Sequence, residues 1–419
     1  MVFRALRIAL VFAAAVVRPA SAADQPPAPA SPAATPAATS AATSAASATP
    51  IAIVYLALAV KRSLPESYLD QPPADEGLAG AGVALADNNT TGHFTGQDFI
   101  LDPVVAPDEA GVIAAFRDRL GKGAREFVTD VPASLLLKLA DLPDARAATL
   151  IDATDADDRL RAEGCRRNVL HVLPSRAMLA DSLMQYLVVK SWRRIMLLAG
   201  QTADDKLYAD AVRRSAKKFQ IKIVADKMWS FNPAEQRADT GHFEVNTEVA
   251  NITQGVDYDL LVVADEEDNF GDELGYRATL ARPVAGTQGL VPTAWSRVYD
   301  ETGATQLQNR FLRAAHRWMT ERDYGAWMAV RALGEAAIRT HSGDPAVIGA
   351  YLRSPKFELA AFKGERLSFR AWDGQLRQPV LLADSRSLVS ISPQPGFLHE
   401  FFETDTLGVD QPESTCHLN

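Results

Sequence analysis

The side chains that could bind a small molecule in this sequence stand directly after predicted strands. In open α/β sheets, ligands bind beyond the carboxyl ends of the strands, so these loops are where a site is expected. Hydroxyl groups and helix N-termini can hold an anion there, whereas carboxylates can hold an ammonium group or a hard cation. The candidates, in chain order, are Lys61, Arg62, Asp130, Ser134, Thr154, Thr202, Asp204, Asp265 and Glu266.

The stretch from Asp265 to Glu273 contains six carboxylates at the end of a predicted strand. Such a concentration of like charge repels itself unless a cation or an ammonium group joins it. Oxygen ligands alone favour a hard cation such as calcium or a trivalent ion, but the spacing matches no EF-hand loop. A solvated acidic turn also explains the stretch, and both interpretations stay open.

No motif for covalent chemistry accompanies these residues. Gly77, Gly80 and Gly82 give G-x-x-G-x-G, which is the wrong order for a dinucleotide loop and lies within a predicted helix. Phosphate-loop, zinc-protease and nucleophile-elbow motifs are absent from the sequence. We therefore expect a protein that is not an enzyme and that needs neither a cofactor nor a resident metal.

Composition and charge narrow the class of protein. The chain has 419 residues and a formal net charge of −9. An acidic surface argues against nucleic acid and against anionic membranes as partners. Cys165 and Cys416 are the only cysteines, so they form at most one disulfide, and Cys416 falls in a C-terminal tail without a predicted element.

The N-terminus is typical of an exported protein. Residues 1–22 combine Arg4 and Arg7, an apolar segment too short to span a membrane, and the small-residue site Ala20-Ser21-Ala22. This pattern predicts a cleaved signal peptide, and its loss would bring the net charge near −12. Residues 23–50 are rich in Ala, Pro, Ser and Thr, which predicts a disordered linker.

Strands and helices that alternate along the chain must position the candidate residues. Thr202 and Asp205 resemble a capping box that opens a helix between two apolar strands, which defines one βαβ unit. Similar units predict an α/β fold with parallel sheets. Strands are predicted at 51–58, 99–105, 126–129, 149–152, 168–173, 195–199, 221–225, 259–264 and 283–291. Helices are predicted at 75–88, 109–120, 133–142, 176–190, 202–219, 244–253, 305–319, 324–339 and 345–352, before short antiparallel strands at 357–393.

This order resembles the type I periplasmic binding proteins, in particular the leucine/isoleucine/valine-binding group of ABC-transporter receptors. The resemblance covers roughly residues 51–393. The segments that carry it are GLAGAGVALADNNTTG, DKLYADAVRRSAKKF, YGAWMAVRALGEAAIR and FKGERLSFRAWDGQLRQPVLL. More narrowly, VVADEEDNFGDELGY and RPVAGTQGLVPTAW are similar to a subfamily associated with pyrroloquinoline-quinone-dependent (PQQ-dependent) alcohol oxidation.

The resemblance implies two Rossmann-like lobes joined by a hinge of several crossings. Lobe 1 would comprise residues 51–173 and 296–345, lobe 2 residues 174–295 and 346–393, and a tail residues 394–419. The implied protein is a periplasmic receptor that traps a small solute and passes it to an ABC permease and its ATPase, without insertion of the mature chain into the membrane.

The sequence departs from the amino-acid-binding relatives at one loop. There the relatives place Ser and Thr hydroxyls against the ligand carboxylate, whereas here only Ser134 matches and Asp130 would repel a carboxylate. Thr154 is the best match in the next loop. A receptor for a hard metal ion or metallophore, a ligand-sensing module, and an enzyme such as a glycosyl transferase remain alternatives.

Overall fold

The computed structural model describes residues 50–59, 73–230 and 248–418. The predicted signal peptide and all of the predicted linker except its last residue lie outside this part of the chain. No helix within the described residues is long and apolar enough to cross a membrane.

The first lobe is built on a parallel sheet of five strands in the order β2-β1-β3-β4-β5. The strands are apolar and mostly buried, as expected for a sheet covered on both faces. The strands are β1 (Ile51–Leu58), β2 (Phe99–Ala106), β3 (Glu126–Asp130), β4 (Thr149–Asp152) and β5 (Val169–His171). The helices between them are α1 (Leu78–Thr95), α2 (Glu109–Gly121) and α3 (Ala133–Ala140).

The second lobe is built on a parallel sheet of four strands in the order β7-β6-β8-β9. The predicted capping box is confirmed, since Thr202 and Asp205 exchange both hydrogen bonds at the start of α5. The strands are β6 (Arg194–Ala199), β7 (Lys222–Met228), β8 (Leu260–Ala264) and β9 (Val284–Gly286). The helices are α4 (Arg176–Val189), α5 (Ala203–Lys218) and the short α6 (Leu274–Arg277), with residues 248–253 also helical.

The single strand predicted at 283–291 is wrong, because the chain turns within it. Gly286 and Gly289 have φ angles of 115° and 77°, a region that favours glycine, and they separate β9 from β10 (Val291–Thr293). β10 pairs antiparallel with β13 (Val380–Ala383), which pairs antiparallel with β14 (Leu388–Ser392). The antiparallel character predicted for the late segment is confirmed by these pairs and by β11 (Leu359–Ala360) with β12 (Arg366–Leu367).

Three late helices complete the first lobe: α7 (Ala304–Ala315), α8 (Glu321–Thr340) and α9 (Pro345–Leu352). α1 and α8 approach closely, because a Cβ at Gly80 would stand only 1.9 Å from the Asp323 carbonyl oxygen. Ile348 and Leu352 of α9, and Phe357 after it, share one core with β1 and α8. From these contacts we infer that residues 346–376 belong to the first lobe, which would move the boundary expected at 345, and that the last crossing lies near Pro379.

The chain crosses between the lobes three times: after β5 at Leu173, after β10 at Ala294, and near Pro379. Buried side chains hydrogen-bond to carbonyl groups in all three crossings. Gln375 donates from Nε2 to the Leu173 carbonyl oxygen at 2.9 Å. Lys363 donates from Nζ to the carbonyl oxygens of Ala294 and, at 3.1 Å, of Pro379. Gln378, which precedes Pro379, donates from Nε2 to the Val172 carbonyl oxygen and so joins the first crossing to the third, which makes the hinge one hydrogen-bonded cluster.

Two residues of the C-terminal segment, Asp405 and Cys416, anchor it to the rest of the protein. Asp405 is buried and accepts hydrogen bonds from Arg370 at 2.8 Å and from Arg377 at 2.9 Å. A disulfide joins Cys165 to Cys416 across 251 residues of sequence. Such a bond is expected in an oxidising compartment.

We predict that Lys363→Met destabilises the protein. Burial lowers the pKa of Lys363 to about 7, and its ammonium group is the donor for two buried carbonyl oxygens. Each unsatisfied buried acceptor costs about 1–3 kcal/mol. Urea unfolding followed by circular dichroism should show the loss, whereas Lys356→Met, at an exposed position, should leave the unfolding midpoint unchanged. Equal midpoints for the two variants would contradict this role of Lys363.

We also predict that Cys165→Ser with Cys416→Ser lowers the free energy of unfolding by about 2–5 kcal/mol, because the bond restricts the unfolded chain. Reduction with dithiothreitol should lower the melting temperature of the wild type by a similar amount. The double variant should not respond to dithiothreitol, and a response there would mean that the reductant acts elsewhere.

Candidate functional site

Arg176 marks the place where the strand ends of the two lobes meet. It is the first residue of α4, directly after the first crossing, and its N–H donates to the Ala156 carbonyl oxygen of the first lobe at 2.9 Å. Its guanidinium donates to Glu266 from Nε at 2.6 Å and from Nη2 at 2.5 Å, and to Asp204 from Nη2 at 2.9 Å. The Arg176 side chain is 8% exposed, whereas that of Asp204 is 55% exposed. Arg176 thus joins two of the predicted site residues, Asp204 and Glu266.

Asp130 and Thr154, predicted from separate loops, are in direct contact. The Thr154 hydroxyl donates to Asp130 Oδ1 at 2.9 Å, and the Tyr55 hydroxyl donates to Oδ2 at 2.6 Å. Arg322 of α8 donates to both oxygens, from Nε at 2.9 Å and from Nη2 at 2.6 Å. The Asp130 carboxylate is therefore buried and neutralised, so it would repel a ligand carboxylate less than the sequence implied.

Asp155 lies in the loop after β4, facing the charges around Arg176. Its Oδ1 accepts the Asp157 N–H at 2.7 Å, and no lysine or arginine among the described residues is within 4 Å of its carboxylate. Burial first, and then the charge of Asp152, raise the pKa of Asp155 to about 6. The half-buried Asp155 thus carries a carboxylate that no arginine or lysine side chain pairs with directly in the described part of the chain.

Two predicted residues of the second lobe organise the loops around the site. The Thr202 side chain caps α5. Asp265 is buried and accepts the N–H groups of Asn269, Phe270 and Gly271 at 2.8–2.9 Å, which folds the acidic stretch into a turn. These contacts define structural roles, and a ligand contact of either residue stays a prediction.

Two further carboxylates of the acidic stretch have partners within the protein. Asp268 accepts a hydrogen bond from Gln288 at 2.6 Å, and Glu273 pairs with Arg277. Burial raises the pKa of Asp265, Glu266, Glu267 and Asp268. Across 50–59, 73–230 and 248–418, no group of three or more His, Cys, Asp or Glu side chains is arranged to hold a metal ion.

Three candidates remain. Lys61 and Arg62 lie outside the described residues. Ser134 is exposed in the first turn of α3, where Pro132 occupies the N-cap position. The sequence analysis missed Arg176, Arg322 and Tyr55, because no local pattern links an arginine to a carboxylate 90 or 192 residues away.

Solved structures with the same arrangement share little sequence with this chain. A branched-chain amino acid ABC transporter periplasmic ligand-binding protein from Burkholderia xenovorans matches with a TM-score of 0.66 at 16% identity, over 88% of this chain and 99% of that one. The leucine-, isoleucine-, valine-, threonine- and alanine-binding protein from Brucella ovis, in its closed conformation, matches with 0.66 at 14% identity, over 89% and 100%.

The chain has the two-lobed type I periplasmic binding fold. A third match is an ABC-transporter solute-binding protein from R. palustris in complex with benzoate, with a TM-score of 0.63 at 11% identity, over 88% of this chain and 100% of that one. No family model and no curated protein match the sequence. At such identities the likeness establishes the fold alone.

We predict that Asp155→Asn changes how stability depends on pH. The pKa of Asp155 is about 6 in the folded protein against an ordinary value of 3.8, so the folded state binds this proton more tightly than the unfolded state. The wild type should therefore lose stability as the pH rises from about 4 through 6. Asparagine keeps an acceptor for the Asp157 N–H but cannot ionise, so the variant should lack this loss.

Urea unfolding midpoints measured between pH 4 and pH 8 check this difference. Asp118→Asn, at an exposed position on α2, is the matched control and should retain the wild-type loss. Parallel pH profiles for the wild type and Asp155→Asn would contradict the raised pKa.

Proposed function

We propose that the protein is the periplasmic substrate-binding component of an ABC transporter, which traps a small solute between its lobes and delivers it to a permease. The observation that supports this most is the meeting of both lobes at Arg176. Its backbone bonds to the first lobe, and its side chain holds Glu266 and Asp204 of the second. A solute at this place contacts residues of both lobes.

Contact with both lobes is the physical requirement for trapping. A ligand shifts the equilibrium from open to closed only by binding the closed form more tightly. The first lobe supplies Asp130, Thr154 and Asp155 to the site, and the second supplies Asp204 and Glu266. No nucleophile or general base is needed for this function, so we expect the solute to be released unchanged.

The charges around the site favour a solute with a positively charged or strongly donating group. Asp155 has no ion-pair partner among the described residues, and a cation beside it would offset the charge that burial disfavours. Asp130 is already neutralised by Arg322. The solute's negative group, if it has one, would then depend on Ser134 and on Lys61 and Arg62.

The association with PQQ-dependent alcohol oxidation rests on two sequence segments. VVADEEDNFGDELGY includes part of β8 and the acidic turn, and RPVAGTQGLVPTAW runs from β9 through β10 into the second crossing. Both segments border the place where the lobes meet. We therefore place acids derived from alcohols among the solutes to be tested first.

A ligand screen with two readouts tests the proposal. The melting temperature should rise with one class of organic solute, because a ligand that binds only the folded state stabilises it. Small-angle scattering should then show a smaller radius of gyration, because hinge closure brings the lobes together. The panel contains amino acids, alcohol-derived acids, PQQ, calcium and a lanthanide ion.

Two single substitutions distinguish binding at the site between the lobes from binding elsewhere on the protein. Asp155→Asn should weaken the affinity for the solute by about tenfold or more, as expected when a charge-assisted hydrogen bond is lost. Asp118→Asn should bind as the wild type does. Stabilisation by a metal ion alone, or chemical conversion of the solute, would contradict the proposal in favour of a metal receptor or an enzyme.

A further inference from the structure

A cavity lies at the end of the first sheet opposite to the place where the lobes meet. It has a volume of about 740 Å³ and is lined by Thr149, at the amino end of β4, and by Asn168, just before β5. One face of α9 forms the facing wall. Volumes of 300–1,000 Å³ are typical of sites for small molecules.

The charges that line this cavity are strongly unbalanced. Four arginines, Arg146, Arg166, Arg167 and Arg353, face one carboxylate, Asp141. Arg166 is paired with Asp141, through Nε–Oδ1 at 2.5 Å and Nη2–Oδ2 at 3.1 Å. Within the part of the chain that the structure describes, three arginines therefore remain without a carboxylate partner, in a protein whose net charge is −9.

The missing carboxylate partner has its largest effect at Arg353. Its Nε donates to the Arg167 carbonyl oxygen at 2.9 Å and its Nη1 to the Gly349 carbonyl oxygen at 2.8 Å. These neutral acceptors hold the guanidinium in place without offsetting its charge. Burial, and then repulsion by Arg167, lower the pKa of Arg353 to about 10. A partly buried cation beside a second cation is unfavourable unless an anion joins them.

The helix α9, which ends just before Arg353, leaves the space for such an anion open. A Cβ at Gly349 would stand 2.9 Å from Thr149 Oγ1 and 3.3 Å from Arg353 Nη1. Glycine at this position therefore lets α9 approach the strand ends while the guanidinium lines the cavity. The hydroxyl of Thr149 stands beside the same space.

We propose that this cavity is a second binding site, which takes a small oxyanion with two or more negative charges. Guanidinium groups bind carboxylate and phosphate oxygens through paired N–H donors, so Arg353, Arg167 and Arg146 form a matching set of donors. The volume fits an anion of the size of pyrophosphate or citrate better than a monovalent ion. The site is independent of the solute site between the lobes, because it lies at the other end of β4.

Calorimetric titration of the full chain with pyrophosphate, citrate and inorganic phosphate, at constant ionic strength, tests this site. At least one of the three should bind and raise the melting temperature. Arg167→Gln and Arg353→Gln should each weaken that binding by about tenfold or more, as expected for a charged hydrogen bond. Arg167 is exposed, so its variant should fold even if the Arg353 variant does not.

Arg313→Gln, at an exposed position on α7, is the matched control with the same change of charge, and it should bind as the wild type does. Asp155→Asn should also bind the anion normally, which separates this site from the solute site. An absence of binding for all three anions at millimolar concentration would overturn the proposal. An equal loss in Arg313→Gln would overturn it as well, because the attraction would then come from the overall charge.

Discussion

The hydrogen bonds that tie the three crossings together are the constraint on which the site depends. Lys363 joins the second and third crossings, and Gln375 joins the first crossing to the segment that precedes the third. Each bond uses a carbonyl oxygen of a crossing segment, and each is buried. Since an unmet buried carbonyl is costly, one crossing cannot shift alone without leaving an acceptor unsatisfied. The hinge is therefore expected to move as a unit.

The same crossings deliver the arginines that neutralise the site. Arg176 comes just after the first crossing, and Arg322 comes at the start of α8, after the second. Each pairs with a carboxylate at a strand end, Arg176 with Glu266 and Arg322 with Asp130. A change in the hinge would therefore change the charges at the proposed solute site. In this way the positions of the crossings determine the electrostatics of the site as well as its shape.

Local patterns were enough to predict most elements of the fold but few of the contacts. The capping box of Thr202 and the helix at 345–352 depend on residues that are close in sequence, and both were predicted correctly. The lobe to which α9 belongs depends on its packing against distant strands, which no local pattern contains, and these contacts favour a boundary other than the one expected at 345. The residues of the candidate site likewise divide into those that local sequence predicts and those that only the tertiary fold brings together. Sequence position relative to strands identified Asp130 and Glu266, whereas their arginine partners are set by the tertiary fold.

The two ends of β4 have opposite electrostatic character. Asp152 ends the strand beside Asp155, while Thr149 begins it beside the arginines around Arg353. A strand of this length separates its ends by only about 10 Å, at about 3.3 Å per residue. Both ends belong to the first lobe, so an anion bound at Thr149 contacts the open and closed forms equally. A ligand with equal affinity for two states does not shift their balance. Such an anion would therefore stabilise the folded protein without tightening its hold on the solute, unless it moved β4 itself.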